Sequence, residues 1–207
     1  MEALILVAIQ QDYLVNGAIS IPDSESVVAV ANQLIARFDL VVATQNWHPP
    51  THRCFAVNHD SRLPFDVIED DNSVTMLWPV HCLQGSIGAN LATNLDVQYI
   101  DQIFQMRTLA DADSFSGLAT LANTNEVQMH EYLQHKDITT LYVLGLPTDY
   151  CVKYTVLDAL DQGYEVYLVV DGCRGINHYP TNSEQAVKEM EAAGVTVIAS
   201  LDARPAC

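Results

Sequence analysis

Strand-length apolar runs alternate with helix-length segments along this chain, and that alternation constrains its fold more than any other feature. Residues 3–9 read ALILVAI, a continuous branched run that is typical of a strand buried on both faces of a sheet. Residues 24–38 follow with apolar side chains near a 3.6-residue period, which predicts an amphipathic helix capped at Asp23 or Ser24. The chain therefore begins with the strand and helix of a βαβ unit.

The same alternation continues towards the C-terminus. The further predicted strands are 40–44, 99–106, 141–145, 165–170 and 195–198, and the further predicted helices are 114–121, 126–134, 152–162 and 181–193. Because βαβ crossovers are right-handed, this pattern predicts a three-layer α/β/α fold. Its sheet is expected to be mostly parallel and six-stranded, with the Rossmann-type order 3-2-1-4-5-6. The whole chain, 1–207, is expected to form a single domain.

The composition argues against several classes of protein. Nine Lys and Arg residues against 26 Asp and Glu residues give a net charge of −17. Binding to nucleic acid or to an anionic membrane needs clustered basic residues, so neither is expected. No apolar run approaches the ~20 residues that span a bilayer, and no signal peptide is recognisable. Five widely spaced cysteines without a CxxC pair argue against a disulfide scaffold and favour the reducing cytoplasm.

Polar side chains follow three of the predicted strands, where open α/β sheets place their ligand sites. They lie in residues 10–13, in the long segment 45–89 and in residues 145–152. The segment 45–89 is rich in His, Pro, Asn, Asp and Ser, and a connection of that length inside a compact domain is usually functional. We therefore expect the functional residues at these strand ends.

Six short motifs, taken in order, cover essentially the whole chain. They are VxxQxDY at 7–13, WHPxxH at 47–52, WPxHCxQG at 78–85, DSFSG at 113–117, GxxTDYCV at 145–152 and DGCRGIN at 171–177. Together they resemble the nicotinamidases of the isochorismatase-like cysteine hydrolase family. The resemblance implies the fold predicted above and the hydrolysis of nicotinamide, a pyridine carboxamide, to nicotinate and ammonia.

The resemblance assigns roles to particular positions around the predicted site. Cys151, at the start of the helix after the fourth strand, takes the position of the nucleophile. A helix N-terminus lowers the pKa of a thiol, so this position suits a thiolate. Tyr13 and Trp78 take the substrate-binding positions that sandwich the pyridine ring. Asp149, two residues before Cys151, is expected to cap the helix.

The metal position departs from the family pattern. The family binds a divalent metal (Zn, Fe or Mn) through an Asp-x-His pair and a distant histidine, which correspond here to Asn46, His48 and His81. Because an amide oxygen brings no charge, we expect this set to be weak or empty. A set of His48, Cys54 and His81 is an alternative with a softer ligand. His52 is expected to hold the long loop or to support the metal ligands from behind rather than to bind the metal itself.

Three further positions depart from the family pattern. Ala8 stands at the position of the aspartate base and Met106 at that of the triad lysine, so apolar groups replace both charges. Pro147 stands where the family has a residue that follows a cis peptide bond and donates its N–H to the oxyanion hole. Proline keeps a cis bond inexpensive but has no N–H. We therefore predict a cis Leu146–Pro147 bond and an incomplete oxyanion hole.

These departures favour a nicotinamidase-like protein whose amidase chemistry is impaired or lost, while the pocket and Cys151 are kept. Two other hypotheses stay open. One is an active cysteine amidohydrolase that acts on nicotinamide or a related small amide with a rebuilt environment around Cys151. The other is a regulatory or structural partner of an active paralogue. A homo-oligomer is compatible with each of these hypotheses.

Overall fold

A six-stranded sheet forms the centre of the molecule in the computed structural model, which describes residues 1–70, 73–111, 115–118 and 128–203. The strands are β1 Glu2–Val7, β2 Val41–Asn46, β3 Val67–Asp70, β4 Ser73–Met76, β5 Gln102–Met106, β6 Thr140–Gly145, β7 Glu165–Cys173 and β8 Thr196–Ile198. The central sheet has the order β5-β2-β1-β6-β7-β8, and its pairings are parallel. The predicted order 3-2-1-4-5-6 is confirmed.

Helices pack on the sheet and complete the three-layer α/β/α fold. They are α1 Ser24–Ile35, α2 Met129–His135, α3 Lys153–Asp161 and α4 Asn182–Ala193. The buried side of α1 carries Val27, Ala31 and Leu34, which follow the predicted helical period. α1 contacts β1, β6 and β7, and α3 contacts β7 and α4. No helix in the described ranges has the length and the apolar character that crossing a membrane requires.

The central and edge strands of the sheet differ in burial. Every residue of β6 is buried, and so is every residue of β1 after Glu2, because helices or loops cover both faces of these strands. Their near-continuous apolar sequences follow from this position. The edge strand β5 is mostly exposed, and only its last residue, Met106, is buried. The core therefore lies along the middle strands and extends to the carboxyl end of β5.

The long segment 45–89 contains structure that the sequence analysis missed. β3 and β4 form an antiparallel hairpin, and Ala56–Asn58 form a short 3₁₀ turn. Isolated bridges between His48 and Leu83 and between Phe55 and Trp78 tie the two halves of the segment together. Each hairpin strand has only four residues, which is too short for a clear period-2 pattern.

Several predicted elements differ from those of the structure at their ends. The helix predicted at 24–38 ends at Ile35, and the strand predicted at 99–106 begins at Gln102. The helix predicted at 126–134 begins at Met129 within the described residues. Half of the helix predicted at 114–121 lies outside them, and residues 115–118, which the structure describes, form no helix. Asp23 precedes α1 without a side-chain cap, and its carboxylate pairs instead with Arg174 at 2.6 Å.

Candidate functional site

The carboxyl ends of β1, β2, β5 and β6 meet beside a small, partly open cavity. Its volume is about 10 Å³, roughly the space of one water molecule. The residues that line it are Tyr13, Ile19, Trp78, His81, Arg107, Phe115, Pro147, Tyr150, Cys151 and Ile176. The position of the nucleophile and both predicted ring-binding positions therefore lie around one cavity.

Cys151 lies in a π-helical turn, Thr148–Val152, directly before α3. The Leu146–Pro147 peptide bond that leads into this turn is cis, which confirms the sequence prediction. The carbonyl oxygen of Pro147 accepts the N–H groups of Tyr150 at 3.3 Å and Val152 at 3.1 Å. Pro147 has no N–H of its own, so it donates no hydrogen bond into the cavity.

The prediction that Asp149 caps the helix is wrong, because the start of α3 has no side-chain cap. The buried Asp149 carboxylate instead accepts the N–H groups of Ile176 at 3.0 Å and Asn177 at 2.8 Å. A Cβ at Gly175 would lie 2.9 Å from Asp149 Oδ1, so this close approach requires glycine. Asp149 therefore anchors the 171–177 motif beside the Cys151 turn.

Asn46 ends β2 and links the thiol to the rest of the site. Its Nδ2 donates to the Tyr13 hydroxyl at 2.9 Å and to Cys151 Sγ at 3.7 Å. The fully buried Gln10 holds the Asn46 backbone: its Oε1 accepts the Asn46 N–H and its Nε2 donates to the Asn46 carbonyl, each at 2.8 Å. The sequence analysis gave Gln10 no role, although it belongs to the VxxQxDY motif. This clamp fixes the Asn46 amide beside the thiol.

The Cys151 thiol is 2% exposed, and its environment differs from the one predicted. Burial raises the pKa of Cys151, while the hydrogen bond from Asn46 and the charge of Arg107 oppose that rise. The net shift is upward, so the group is held as a thiol. The predicted lowering of this pKa rested on the helix N-terminus, and the loss of hydration on burial reverses its direction.

Ala8 and Met106 lie at the carboxyl ends of the sheet, Ala8 just after β1 and Met106 at the end of β5. The register pairs Val7 with Thr44 and Asn46 with Met106, which brings both positions to the same edge. Both side chains are buried, and neither can take up or release a proton. These two positions therefore supply neither a general base nor an ammonium group.

The sequence analysis missed Arg107, which follows β5. Arg107 is 2% exposed, and its Cζ lies 4.4 Å from the centre of the Phe115 ring. Burial lowers the pKa of His81 and the charge of Arg107 adds to this, so the guanidinium lies within the site. The backbone φ of Arg107 is 60°, in the left-handed region that favours glycine. No motif includes this residue, so the sequence carried no signal for it.

Tyr13 and Trp78 both line the cavity, and each is 3% exposed. The Trp78 ring packs edge-on against Tyr150 with centroids 4.9 Å apart, and the Tyr13 ring lies 5.9 Å from that of His81. Burial raises the pKa of Tyr13 well above its usual range, so its hydroxyl stays protonated. Their role in holding a pyridine ring stays a prediction.

His48 and His81 lie side by side, with ring centroids 4.7 Å apart. Burial lowers the pKa of His81 to about 3 and that of His48 still further, so both rings are neutral. His48 Nε2 and Asn46 Oδ1 are buried without a hydrogen-bond partner in the structure. The set of Asn46, His48 and His81 thus offers only neutral donors. Because the amide oxygen of Asn46 brings no charge and is a weak ligand, this set fits a tightly held divalent ion poorly.

A second group of donors also includes His48. One ligand atom from each of His48, His52 and Cys54 lies within 4.8 Å of the others, and the three residues are fully buried. Within the described part of the chain, this convergent group contains His52 where the predicted alternative set had His81. His52, which was expected to hold the loop or to support the ligands, therefore lies among the possible metal ligands.

Comparison with known proteins decides the family. A family model described as the isochorismatase domain matches residues 2–202. The chain belongs to the isochorismatase family. A family relative, the nicotinamidase of Escherichia coli (strain K12), is 40% identical over 205 residues, which cover 97% of this chain and 96% of that protein. The resemblance found in the sequence motifs is confirmed.

Solved structures of isochorismatase-family proteins share the fold of this chain. An Acinetobacter baumanii nicotinamidase–pyrazinamidase is 36% identical with a TM-score of 0.91, over 97% of both chains. The pyrazinamidase of Pyrococcus horikoshii, solved in complex with zinc, is 31% identical with a TM-score of 0.77. This match covers 96% of the present chain and 98% of that one. At least one similar protein of this fold therefore binds zinc.

Proposed function

We propose that this chain is a nicotinamidase-like protein whose amidase chemistry is strongly impaired, while Cys151 and the walls of a pyridine-carboxamide pocket are kept. The observation that carries the proposal is the contact between Asn46 Nδ2 and Cys151 Sγ at 3.7 Å. The amide donates a hydrogen to the sulfur, whereas a general base would accept the thiol proton. At the position where the family has its aspartate base, this chain has Ala8, whose methyl group cannot accept a proton.

Attack of the thiol on an amide carbonyl would also lack a stabilising donor. The N–H that completes the family's oxyanion hole is missing at Pro147, and the loss of one such donor typically costs roughly 10²–10³-fold in rate. The loss of a general base typically costs about 10²–10⁴-fold. Groups that act together are not additive, so the two factors need not multiply. Either loss alone makes turnover slow.

The size of the cavity supports the same proposal. Its volume of about 10 Å³ compares with roughly 300–1,000 Å³ for typical small-molecule sites. The Arg107 guanidinium packs on the Phe115 ring, and both side chains line the cavity. A pyridine carboxamide therefore enters only if these side chains move.

One observation favours a second candidate, an active amidohydrolase with a rebuilt environment around Cys151. The charge of Arg107 opposes the effect of burial on the Cys151 pKa and so favours the thiolate. In that case Arg107 would activate the Cys151 thiol in part, a role that the family gives to the aspartate and lysine replaced here by Ala8 and Met106.

Ammonia release from nicotinamide tests both candidates. We expect purified wild-type protein to release ammonia no faster than Cys151→Ala, with the Escherichia coli nicotinamidase active in the same assay. Turnover of about 1 s⁻¹ or more that disappears in Cys151→Ala would contradict impairment. If that turnover also falls in Arg107→Met, the second candidate is supported.

We also propose that the protein works in a reducing compartment such as the cytoplasm. The four cysteines within the described ranges, Cys54, Cys82, Cys151 and Cys173, are buried free thiols. Alkylation during cell lysis followed by intact mass measurement should find the thiols reduced. A disulfide in that measurement would contradict this assignment.

A further inference from the structure

We propose that a groove beside α1 binds a small primary amine, whose ammonium group pairs with Glu25 while its apolar body lies on the groove floor. The groove lies between α1, residues 11–15 and residues 92–94. Its volume of about 450 Å³ is within the roughly 300–1,000 Å³ of typical small-molecule sites. It shares no lining residue with the cavity around Cys151, so this inference does not depend on the proposed loss of amidase chemistry.

The floor of the groove is apolar. Leu14, Val28 and Ala92 line it and are 9%, 6% and 2% exposed, so little of each side chain reaches solvent. An alkyl chain or a phenyl ring that lies on these side chains leaves water together with them, which favours binding. The floor therefore selects a ligand with an apolar body rather than a bare ion.

Glu25 gives the groove its charge. Among the described residues that line the groove it is the one with a charged side chain, and no lysine or arginine stands beside it. Glu25 Oε1 accepts the Val15 N–H at 3.1 Å, which fixes the carboxylate, and Oε2 has no hydrogen-bond donor among the described residues. An ammonium group has three donors and no acceptor, so it matches this oxygen. The net charge of −17 also attracts cations to the protein.

A neutral acceptor lies in the same groove. Gln11 Nε2 donates to Thr93 Oγ1 at 2.6 Å, which orients the Gln11 amide and leaves its Oε1 without a donor among the described residues. Together with Glu25 Oε2 this oxygen can accept a second hydrogen of the ammonium group. The polar groups of the groove thus favour a primary amine over a quaternary one, which has no hydrogen to donate.

Hydrogen bonds hold the walls of the groove in place without a ligand. Asn32 Nδ2 donates to the Asn94 carbonyl at 2.8 Å, and Asn32 Oδ1 accepts the Asp96 N–H at 3.0 Å. These bonds fix α1 to the wall that carries residues 92–94, and the contact between Glu25 and Val15 fixes α1 to the opposite segment. Because the groove is formed in advance, a ligand has little ordering of the protein to offset.

Calorimetric titration with phenethylamine and with phenethyl alcohol tests the charge. The two molecules have the same apolar body, but only the amine is a cation. We expect the wild type to bind the amine at one site and the alcohol about fivefold more weakly, as for a favourable, partly exposed ion pair. Glu25→Gln keeps an oxygen that can accept the Val15 N–H, and it should bind the amine about as weakly as the alcohol. Glu184→Gln, which removes an exposed carboxylate on α4, should bind the amine like the wild type.

A second pair of variants tests the place of binding. Ala29 is exposed and lines the groove, so Ala29→Phe should fill the groove and abolish binding of both molecules. Ala36→Phe, at the exposed residue that follows α1, is the matched control and should leave binding unchanged. Equal affinity of the wild type for amine and alcohol, no saturable binding of the amine, or binding that persists in Ala29→Phe would overturn the proposal. These titrations do not use amide hydrolysis, so this site and the proposed loss of activity are tested separately.

Discussion

The two sides of the buried site differ in the chemical groups that they place at the positions matched to the family. The thiol side consists of Ala8, Met106, Pro147 and Cys151. The histidine side consists of His48, His52, Cys54 and His81. On the thiol side, apolar groups stand where acid–base chemistry needs charges, whereas the histidine side is rich in metal-binding groups. The proposed loss of acid–base chemistry therefore concerns one side of the site only.

The difference follows from the cost of burying charge. A buried carboxylate is stable only with a partner, so removal of one member of a carboxylate–lysine pair typically costs about 3–5 kcal/mol. Removal of both members can be nearly neutral, which favours their loss together. His48 and His81 are neutral because burial lowers their pKa values, so they need no partner charge.

The largest expected effect comes from restoring the family residues of the thiol side. The variant is Ala8→Asp, Asn46→Asp, Met106→Lys and Pro147→Ala in one chain. It regains a general base, an ammonium group and an N–H for the oxyanion, so nicotinamide hydrolysis should rise by about 10²-fold or more. Ammonia release measures it, and adding Cys151→Ala to the same variant is the control. A folded, metal-loaded variant without activity would show that the site has diverged beyond these four positions.

The second effect is on stability and tests whether positions 8 and 106 face each other. Ala8→Asp alone buries a carboxylate and should lower the free energy of unfolding by about 3–5 kcal/mol. The backbone does not oppose the change, because Ala8 has a φ of 45° and aspartate tolerates this region. Met106→Lys alone should also destabilise the protein.

Urea unfolding of the two single variants and the double variant measures their coupling. The double variant should be more stable than the sum of the single effects by about 0.5–3 kcal/mol. Additive effects would mean that the two side chains do not meet, and the assignment of Met106 to the lysine position would then be wrong.

The third effect concerns Arg107, which lines the cavity beside the thiol side. Arg107→Gly removes the side chain from the cavity and suits a φ of 60°. Glycine removes the backbone strain at this φ, which is worth about 1–2 kcal/mol. This gain offsets much of the stability lost with the packing and the cation–π contact between Arg107 and Phe115. We therefore expect similar stability but new binding: nicotinamide at about 100 times its Kd should add ~2.7 kcal/mol to the free energy of unfolding.

Thermal unfolding with and without nicotinamide measures this binding. Arg107→Met is the matched control, because it removes the charge but keeps a long side chain in the cavity. Equal stabilisation of the wild type and Arg107→Gly would show that Arg107 does not close the pocket.

The sequence predicted the sheet well because each buried strand can be recognised from its own short run of residues. The buried strands β1 and β6 are continuous apolar runs, and the order of the sheet is the one typical of doubly wound α/β folds. Open α/β sheets place their ligand sites at the carboxyl ends of their strands, and this rule predicted the region of the site correctly. Tyr13, Trp78 and Cys151 line one cavity there.

The sequence could not predict contacts that depend on distant residues. Asp149 looks like a helix cap from its neighbours, yet its partners, Ile176 and Asn177, lie 27 and 28 residues away. Arg107 enters the site through an unusual backbone conformation that no sequence pattern encodes. The upward pKa shift of Cys151 arises from burial, which depends on the packing of the whole site.

The smallest effect concerns an exposed ion pair, Asp23–Arg174, that contacts the turn holding Cys151. The Arg174 guanidinium donates to Asp23 Oδ2 from Nε at 2.9 Å and from Nη2 at 2.6 Å, and the Arg174 carbonyl accepts the Thr148 N–H at 2.9 Å. The hydrogen bond from Arg174 lowers the pKa of Asp23 below its ordinary value of 3.8. The stabilisation that the Asp23–Arg174 pair contributes is therefore present above pH 3.8. It is lost as the pH falls through the lower pKa that Asp23 has in the folded state.

Asp23→Asn should thus be slightly less stable than the wild type at pH 7, and the difference in urea midpoint should vanish at strongly acidic pH. Glu184→Gln is the matched control, because Glu184 pairs with Lys188 on the exposed side of α4 and the hydrogen bond from Lys188 lowers its pKa in the same way. Both variants should lose a little stability, but only Asp23→Asn should loosen the turn that holds Cys151 and speed alkylation of its thiol. Equal alkylation rates in the two variants would mean that the Arg174 contact does not support the thiol side.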